Sequence, residues 1–146
     1  MDGIEPNATG LEKTVRRSRF EPHDRLEQEV MDLVRPYTDR KHLPDRWVSF
    51  SGIICPFDVK TTVHCEDKSH NEYLRLVREG FYGMWIVYRD YGTLYADWFN
   101  NLRWGGPYPP RINSRSGDPY YRIGGGRLLD EFLRCASREI VARRVT

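Results

Sequence analysis

Cysteine is scarce in this chain: Cys55, Cys65 and Cys135 are its only thiols. No pair has Cys-x-x-Cys spacing, which argues against a zinc ribbon or a dithiol redox pair. So few thiols are expected to stay reduced, as in a cytosol. Long apolar runs are also missing. None approaches the ~18 residues that a membrane-spanning helix needs, so a soluble, cytoplasmic or otherwise intracellular protein is expected. Charge of one sign is not in excess either. The formal net charge is +2, too small to argue for a polyanionic partner by itself, although local basic and acidic surfaces can cancel in such a sum. There is no internal repeat. Gly124-Gly125-Gly126 lacks the Gly-Lys-Thr/Ser ending of a nucleotide-binding loop, so ATP is not expected, and a flexible hinge is the simpler reading.

The 146 residues suit one compact domain. Residues 1–20 are polar and carry Arg16, Arg17 and Arg19. They read as a flexible basic arm that either touches phosphates or is a plain terminus. A single domain is expected over 21–146. Leu26, Val30, Leu33 and Val34 recur at helical spacing after Pro22 and stop near Pro36. Residues 46–50 and 53–60, separated by Ser51-Gly52, read as an antiparallel hairpin. Pro56 within the second strand suggests a sheet edge or a bulge. A helix is expected over 69–79, ended by Gly80, then a buried strand over 84–88 and another over 93–99. Residues 100–125, rich in glycine, proline, arginine and tyrosine, read as a long loop. A last helix is expected from about Arg127 to Arg143. This order predicts an α/β fold, a small mixed β-sheet flanked by helices.

Three charged side chains fall where charge is costly. Asp45 lies at the mouth of the first strand, and Asp58 and Lys60 lie near the end of the apolar second strand. Residues two apart on a strand share a face, so Asp58 and Lys60 project together. The neighbouring strand lies about 4.8 Å away, which brings Asp45 close to Asp58 if the register allows. Adjacent carboxylates repel, and a divalent cation with a preference for oxygen relieves that repulsion. Such a cation lowers the pKa of bound water and steadies charge on a phosphoryl oxygen. A lysine beside it can orient the water or stabilise negative charge. These are the parts of phosphodiester hydrolysis. His64 and Cys65 have no second ligand pair at finger spacing, so zinc is not expected. Glu66 could support the metal site or be a plain surface acid.

Pro44-Asp45 followed by Asp58-Val59-Lys60 resembles the PD-(D/E)xK nuclease superfamily. Within it the chain is most similar to Holliday-junction resolvases and small phage or repair nucleases. The resemblance spans about residues 22–90. It implies a restriction-endonuclease-like αβββαβ core and a helix glutamate, for which Glu27 is the choice and Glu29 the rival. It implies Mg²⁺, or Mn²⁺ in its place, held by Asp45, Asp58 and the Val59 carbonyl, with Glu27 binding a second metal or its water. Lys60 would position the attacking water, and the product would carry a 5′-phosphate. After the lysine, Thr61, Thr62 and His70 fall where the family has DNA-facing positions, with His70 standing where a glutamine is usual. Arg16, Arg17, Arg111, Arg115 and Arg122 are further candidate DNA contacts, because arginine neutralises phosphates and the interleaved aromatics can stack on unpaired bases. The arginines of the last helix suggest a DNA channel or a charged face. The implied activity is a structure-selective endonuclease on branched DNA in recombination or repair, possible as a homodimer. The alternatives are a single-strand or site-specific nuclease, a non-catalytic DNA-binding module of the same fold, and a structural protein in which the motif is a coincidence.

Overall fold

The computed structural model describes residues 22–40, 46–110 and 116–144. Helix α1 covers 22–34 and runs into a 3-10 turn at Arg35–Tyr37. Its Leu26, Val30 and Val34 are buried, as their spacing requires. Leu33, seven residues after Leu26 and so at the flank of that face, is 46% exposed in the last turn of the helix.

Strands β1 (Trp47–Phe50) and β2 (Ile53–Lys60) form the expected antiparallel hairpin, with Trp47 opposite Pro56. After Pro56 the chain changes partner. Phe57 to Lys60 pair in parallel with β4 (Trp85–Asp90), reached through β3 (His64–Glu66) and helix α2 (Asp67–Arg78). Pro56 is therefore neither on an edge strand nor at a bulge. It sits at the changeover: Phe57 still donates to the Arg46 carbonyl at 3.0 Å on the β1 side, and the pairing with β4 begins only at Phe57, so the missing N–H of Pro56 falls before that ladder starts. Strand β5 (Thr93–Trp98) pairs antiparallel with β4 through a turn at Tyr91 and Gly92, both at positive φ.

The order of the main sheet is β1-β2-β4-β5-β8, where β8 (Arg127–Leu128) is a short edge. Alternation along its strands divides the core. Phe57, Val59, Trp85 and Val87 pack with α1 and with α3 (Leu129–Arg144), and Ile86 and Tyr88 pack on the α2 side. Residues 100–125 are not one long loop. Arg103–Tyr108 form β6 and Tyr120–Gly124 form β7, which join β3 in a second sheet of order β3-β7-β6. The local glycines and prolines hide strands that long-range pairing stabilises. The last helix starts at Leu129, so Arg127 and Leu128, expected inside it, lie on β8, and Leu128 is 51% exposed.

Gly126 is not a hinge: its N–H donates to the Tyr88 hydroxyl at 2.9 Å, and a Cβ there would lie 2.8 Å from that oxygen. All three cysteines are free thiols. Burial pushes Cys55 up to about 12 and Cys65 up to about 11, so both stay protonated at neutral pH. No helix among the described residues is long and apolar enough to cross a membrane.

Candidate active site

Where β2 outruns β1, one edge of β2 has no strand beside it among the described residues, and helices close in on it from both faces. Asp58 and Lys60 project to the α2 side, as two-residue alternation requires, with Lys60 Nζ 3.6 Å from Asp58 Oδ2. The Tyr73 hydroxyl of α2 donates to the same Oδ2. Lys60 Nζ also reaches Ser69 Oγ at 3.4 Å and lies 5.8 Å from the centre of the Tyr73 ring. The other carboxylate oxygen, Oδ1, accepts the Val59 amide at 2.9 Å and Arg46 Nη1 at 2.9 Å.

The balance of these forces leaves Asp58 ionised. Burial acts to raise its pKa, but Lys60, the Tyr73 hydroxyl, the Val59 amide and Arg46 together outweigh it and hold the carboxyl below the ordinary value. Tyr73 moves the other way: burial and the Asp58 charge raise its pKa, so the phenol keeps its proton and remains a donor.

Arg46 joins the two acids of the site. Its Nε lies 3.2 Å from Glu27 Oε2 on α1, while its Nη1 holds Asp58. Arg46 has φ 66°, a left-handed conformation that bends the chain just before β1. On the same edge His23 Nε2 donates to the Val59 carbonyl at 3.2 Å. Atoms of His23, Asp24 and Glu27 lie within 4.8 Å of one another. The structure thus separates the two helix acids. Glu27 faces Asp58 across Arg46, whereas Glu29 is 54% exposed and meets only Arg89, at 3.4 Å, among the contacts described.

The donor set fits a divalent cation of hard or borderline character. Among the described residues the group whose ligand atoms lie close enough for one cation is His23, Asp24 and Glu27, two carboxylates and an imidazole nitrogen that Mn²⁺ accepts more readily than Mg²⁺, whereas Asp58 is separated from Glu27 by Arg46. Asp45 lies outside the described residues, as do Arg16, Arg17, Arg111 and Arg115.

The remaining expected positions divide. Thr61 and Thr62 are exposed just past Lys60, and Thr62 Oγ1 accepts the His64 amide at 3.1 Å. Arg122 is exposed on β7. His70 does not present its ring as a surface contact. It stacks on Tyr121 at 4.1 Å and packs against Trp104 and Phe99, because α2 turns this face onto the second sheet. Of the arginines expected on the final helix, Arg127 lies on β8 instead, and three have partners in the structure. The Arg127 guanidinium grips Asp97 at 3.0 Å and Glu139 at 2.8 Å, Arg134 pairs with Asp130, and Arg143 donates to the Tyr82 carbonyl.

Sequence reasoning did not find Arg46, Tyr73 or His23. Arg46 follows Asp45 directly and could have been suspected as its counter-charge. Tyr73 was indistinguishable from an apolar helix residue, and only the α2 crossover brings its hydroxyl to β2. No protein-family model matches the chain, and no curated protein matches it.

Proposed function

We propose that this chain is a metal-dependent endodeoxyribonuclease of the PD-(D/E)xK type, acting on branched DNA such as a Holliday junction. The observation that carries the reading is the convergence of Glu27, Asp58 and Lys60, from α1 and β2, on one open strand edge. Charged groups gathered this closely on a partly buried edge are a recurrent mark of function.

Glu27, Asp58 and the Val59 carbonyl would hold Mg²⁺ or Mn²⁺, with Asp45 as the further ligand that the motif implies. The bound cation would supply a water of lowered pKa and neutralise charge on the scissile phosphate. Lys60, kept beside Asp58 by Ser69 and the Tyr73 ring, orients the attacking water and offers positive charge to the phosphoryl oxygens. Tyr73 fixes the Asp58 carboxylate so that its other oxygen is turned to the open edge. Water attacks phosphorus in line and the bond from phosphorus to the 3′-oxygen breaks; the 3′-oxygen leaves as a hydroxyl after taking a proton from solvent, and the other end keeps a 5′-phosphate. Paired cuts at a junction suit a symmetric homodimer.

A second reading is a DNA-binding module without catalysis. Arg46 favours it, since this guanidinium already neutralises both acids.

The test is cleavage of a labelled four-way junction beside matched duplex and single strand, with Mg²⁺, with Mn²⁺ and with chelator. Metal-dependent junction cutting that Asp58→Ala and Lys60→Met abolish is the expected result. Cutting of every substrate alike removes the junction preference. Junction binding with no cutting moves the assignment to the binding module.

A further inference from the structure

The second sheet presents a face that the main site does not use. Cys65, Tyr121, Ile123 and Trp104 point inward: Cys65 and Ile123 are buried, and Tyr121 and Trp104 pack around His70. Alternation therefore turns His64, Glu66, Tyr120, Arg122, Arg103 and Gly105 outward. The register supports this, since His64 and Gly105 flank Arg122 on either side.

Aromatic rings run across this outer face. Tyr120 lies between His64, at 5.1 Å between ring centres, and Tyr108, at 5.3 Å. Tyr108 is 42% exposed. Gly105 lets its ring lie across the sheet, because a Cβ there would come within 3.3 Å of the Tyr108 hydroxyl. Arg122 is exposed between His64 and Gly105, Arg103 is exposed at the far end of the face, where its side chain lies against Gly124 and Gly125, and Glu66 adds an acid to the face.

We infer that the outer face of β3, β7 and β6 binds an unpaired segment of DNA, stacking its bases on Tyr108 and Tyr120 and pairing its phosphates with Arg103 and Arg122. The identity of the polymer as DNA rests on the nuclease reading of the neighbouring site. Aromatic rings interleaved with cations are the means by which proteins hold single strands without reading sequence. A duplex keeps its base faces inside the stack and cannot use the rings.

The face is tied to the catalytic strand. Thr61, Thr62 and Val63 connect Lys60 to His64, a reach of at most about 13 Å at the extended rise per residue. Ile123 donates to the Val63 carbonyl at 2.7 Å, and Asp67 at the start of α2 donates to the Pro119 carbonyl at 2.9 Å. One helix thus holds Asp58 through Tyr73 and the stacking sheet through His70. A substrate with unpaired nucleotides beside its cleavage point fits both surfaces together.

The test is fluorescence anisotropy of a labelled oligothymidine of about 12 nucleotides, within the usual site sizes of such surfaces. It is run in chelator and compared with a blunt hairpin duplex. The single strand is expected to bind about tenfold tighter than the duplex. Tyr108→Ala should weaken it by about tenfold and Tyr108→Phe should restore it, as loss and return of one stacking ring require. Arg122→Ala should lower the salt dependence by about one counterion. Equal affinity for duplex, or full affinity in Tyr108→Ala, overturns the inference. Cleavage is read separately with Mg²⁺. A protein that prefers single strands and never cuts supports this face and refutes only the catalytic reading, whereas metal-dependent cutting without that preference refutes only this face.

Discussion

Replacing Arg46 with glutamine removes the cation that joins the two acids while keeping a polar chain of similar reach. Arg46 lies 3.2 Å from Glu27 and 2.9 Å from Asp58, and its side chain is 45% exposed. Contacts that open to solvent are screened and are worth about 0.5–1 kcal/mol each. Together they amount to about 1–2 kcal/mol. A divalent cation held by the same carboxylates must displace the guanidinium and overcome that sum. Since about 1.4 kcal/mol is a factor of ten, Arg46→Gln should bind Mn²⁺ roughly 5–30 times more tightly than the natural chain. Isothermal titration calorimetry with MnCl₂ at fixed ionic strength measures this directly. The metal-free variant should also melt lower, by roughly 3–7 °C for a loss of that size in a domain of this length, and Mn²⁺ should recover the loss. An Mn²⁺ affinity that is unchanged or weaker in Arg46→Gln refutes the reasoning, because the cation would then not compete for these oxygens.

Tyr73→Phe deletes the hydroxyl that donates to Asp58, and a hydrogen bond to a charged group is worth about 1.5–3 kcal/mol, which urea melts at pH 7 should show as lost. Asp58 is held below its ordinary value of 3.8, so this stabilisation is present above that pH and fades as pH falls through the depressed native value. The gap between the two proteins should therefore close in acid, and a gap that persists there contradicts the assignment. Burial holds His70 below its ordinary 6.5, against the pull of Asp67, so the unfolded chain takes up a proton first as pH falls. Stability should decline from that pH downward, and His70→Phe should flatten the decline in pH-dependent urea midpoints; an unaltered slope removes His70 from the account. Arg127→Ala strips the clamp from Asp97, whose side chain is 7% exposed. Leaving a buried charge without its partner costs about 3–5 kcal/mol, so a loss below ~1 kcal/mol in urea denaturation would show that Asp97 is served by its other contacts.

Local periodicity alone makes the hairpin, α1 and the shared face of Asp58 and Lys60 legible in the sequence. Leu26, Val30 and Val34 repeat at helical spacing and are buried on α1. Asp58 and Lys60 are two apart in a strand, and they meet at 3.6 Å. The same local signals fail over residues 100–125. Glycine and proline mark turns in isolation, yet β6 and β7 exist because each pairs with a strand, and β7 pairs with the distant β3. Leu128 and Leu33 depart from expectation for a related reason: apolar character does not say which way a residue points at the end of an element.

What the sequence determined by itself is the helices, the hairpin and the buried strands β4 and β5, with the chemistry of the side chains on each, since these depend on neighbours a few positions away. What only the tertiary structure decided is which of those side chains meet. Glu27 and Glu29 sit on one helix with the same chemistry, and the choice between them depends on how α1 docks against the end of β2. Arg46 reaches both acids because a left-handed residue bends the chain there. Tyr73 reaches Asp58 because the crossover through α2 brings the helix over β2 before β4 pairs with it in parallel. These contacts depend on register, crossover and docking, which arise only when distant segments pack, so no window of sequence contains them.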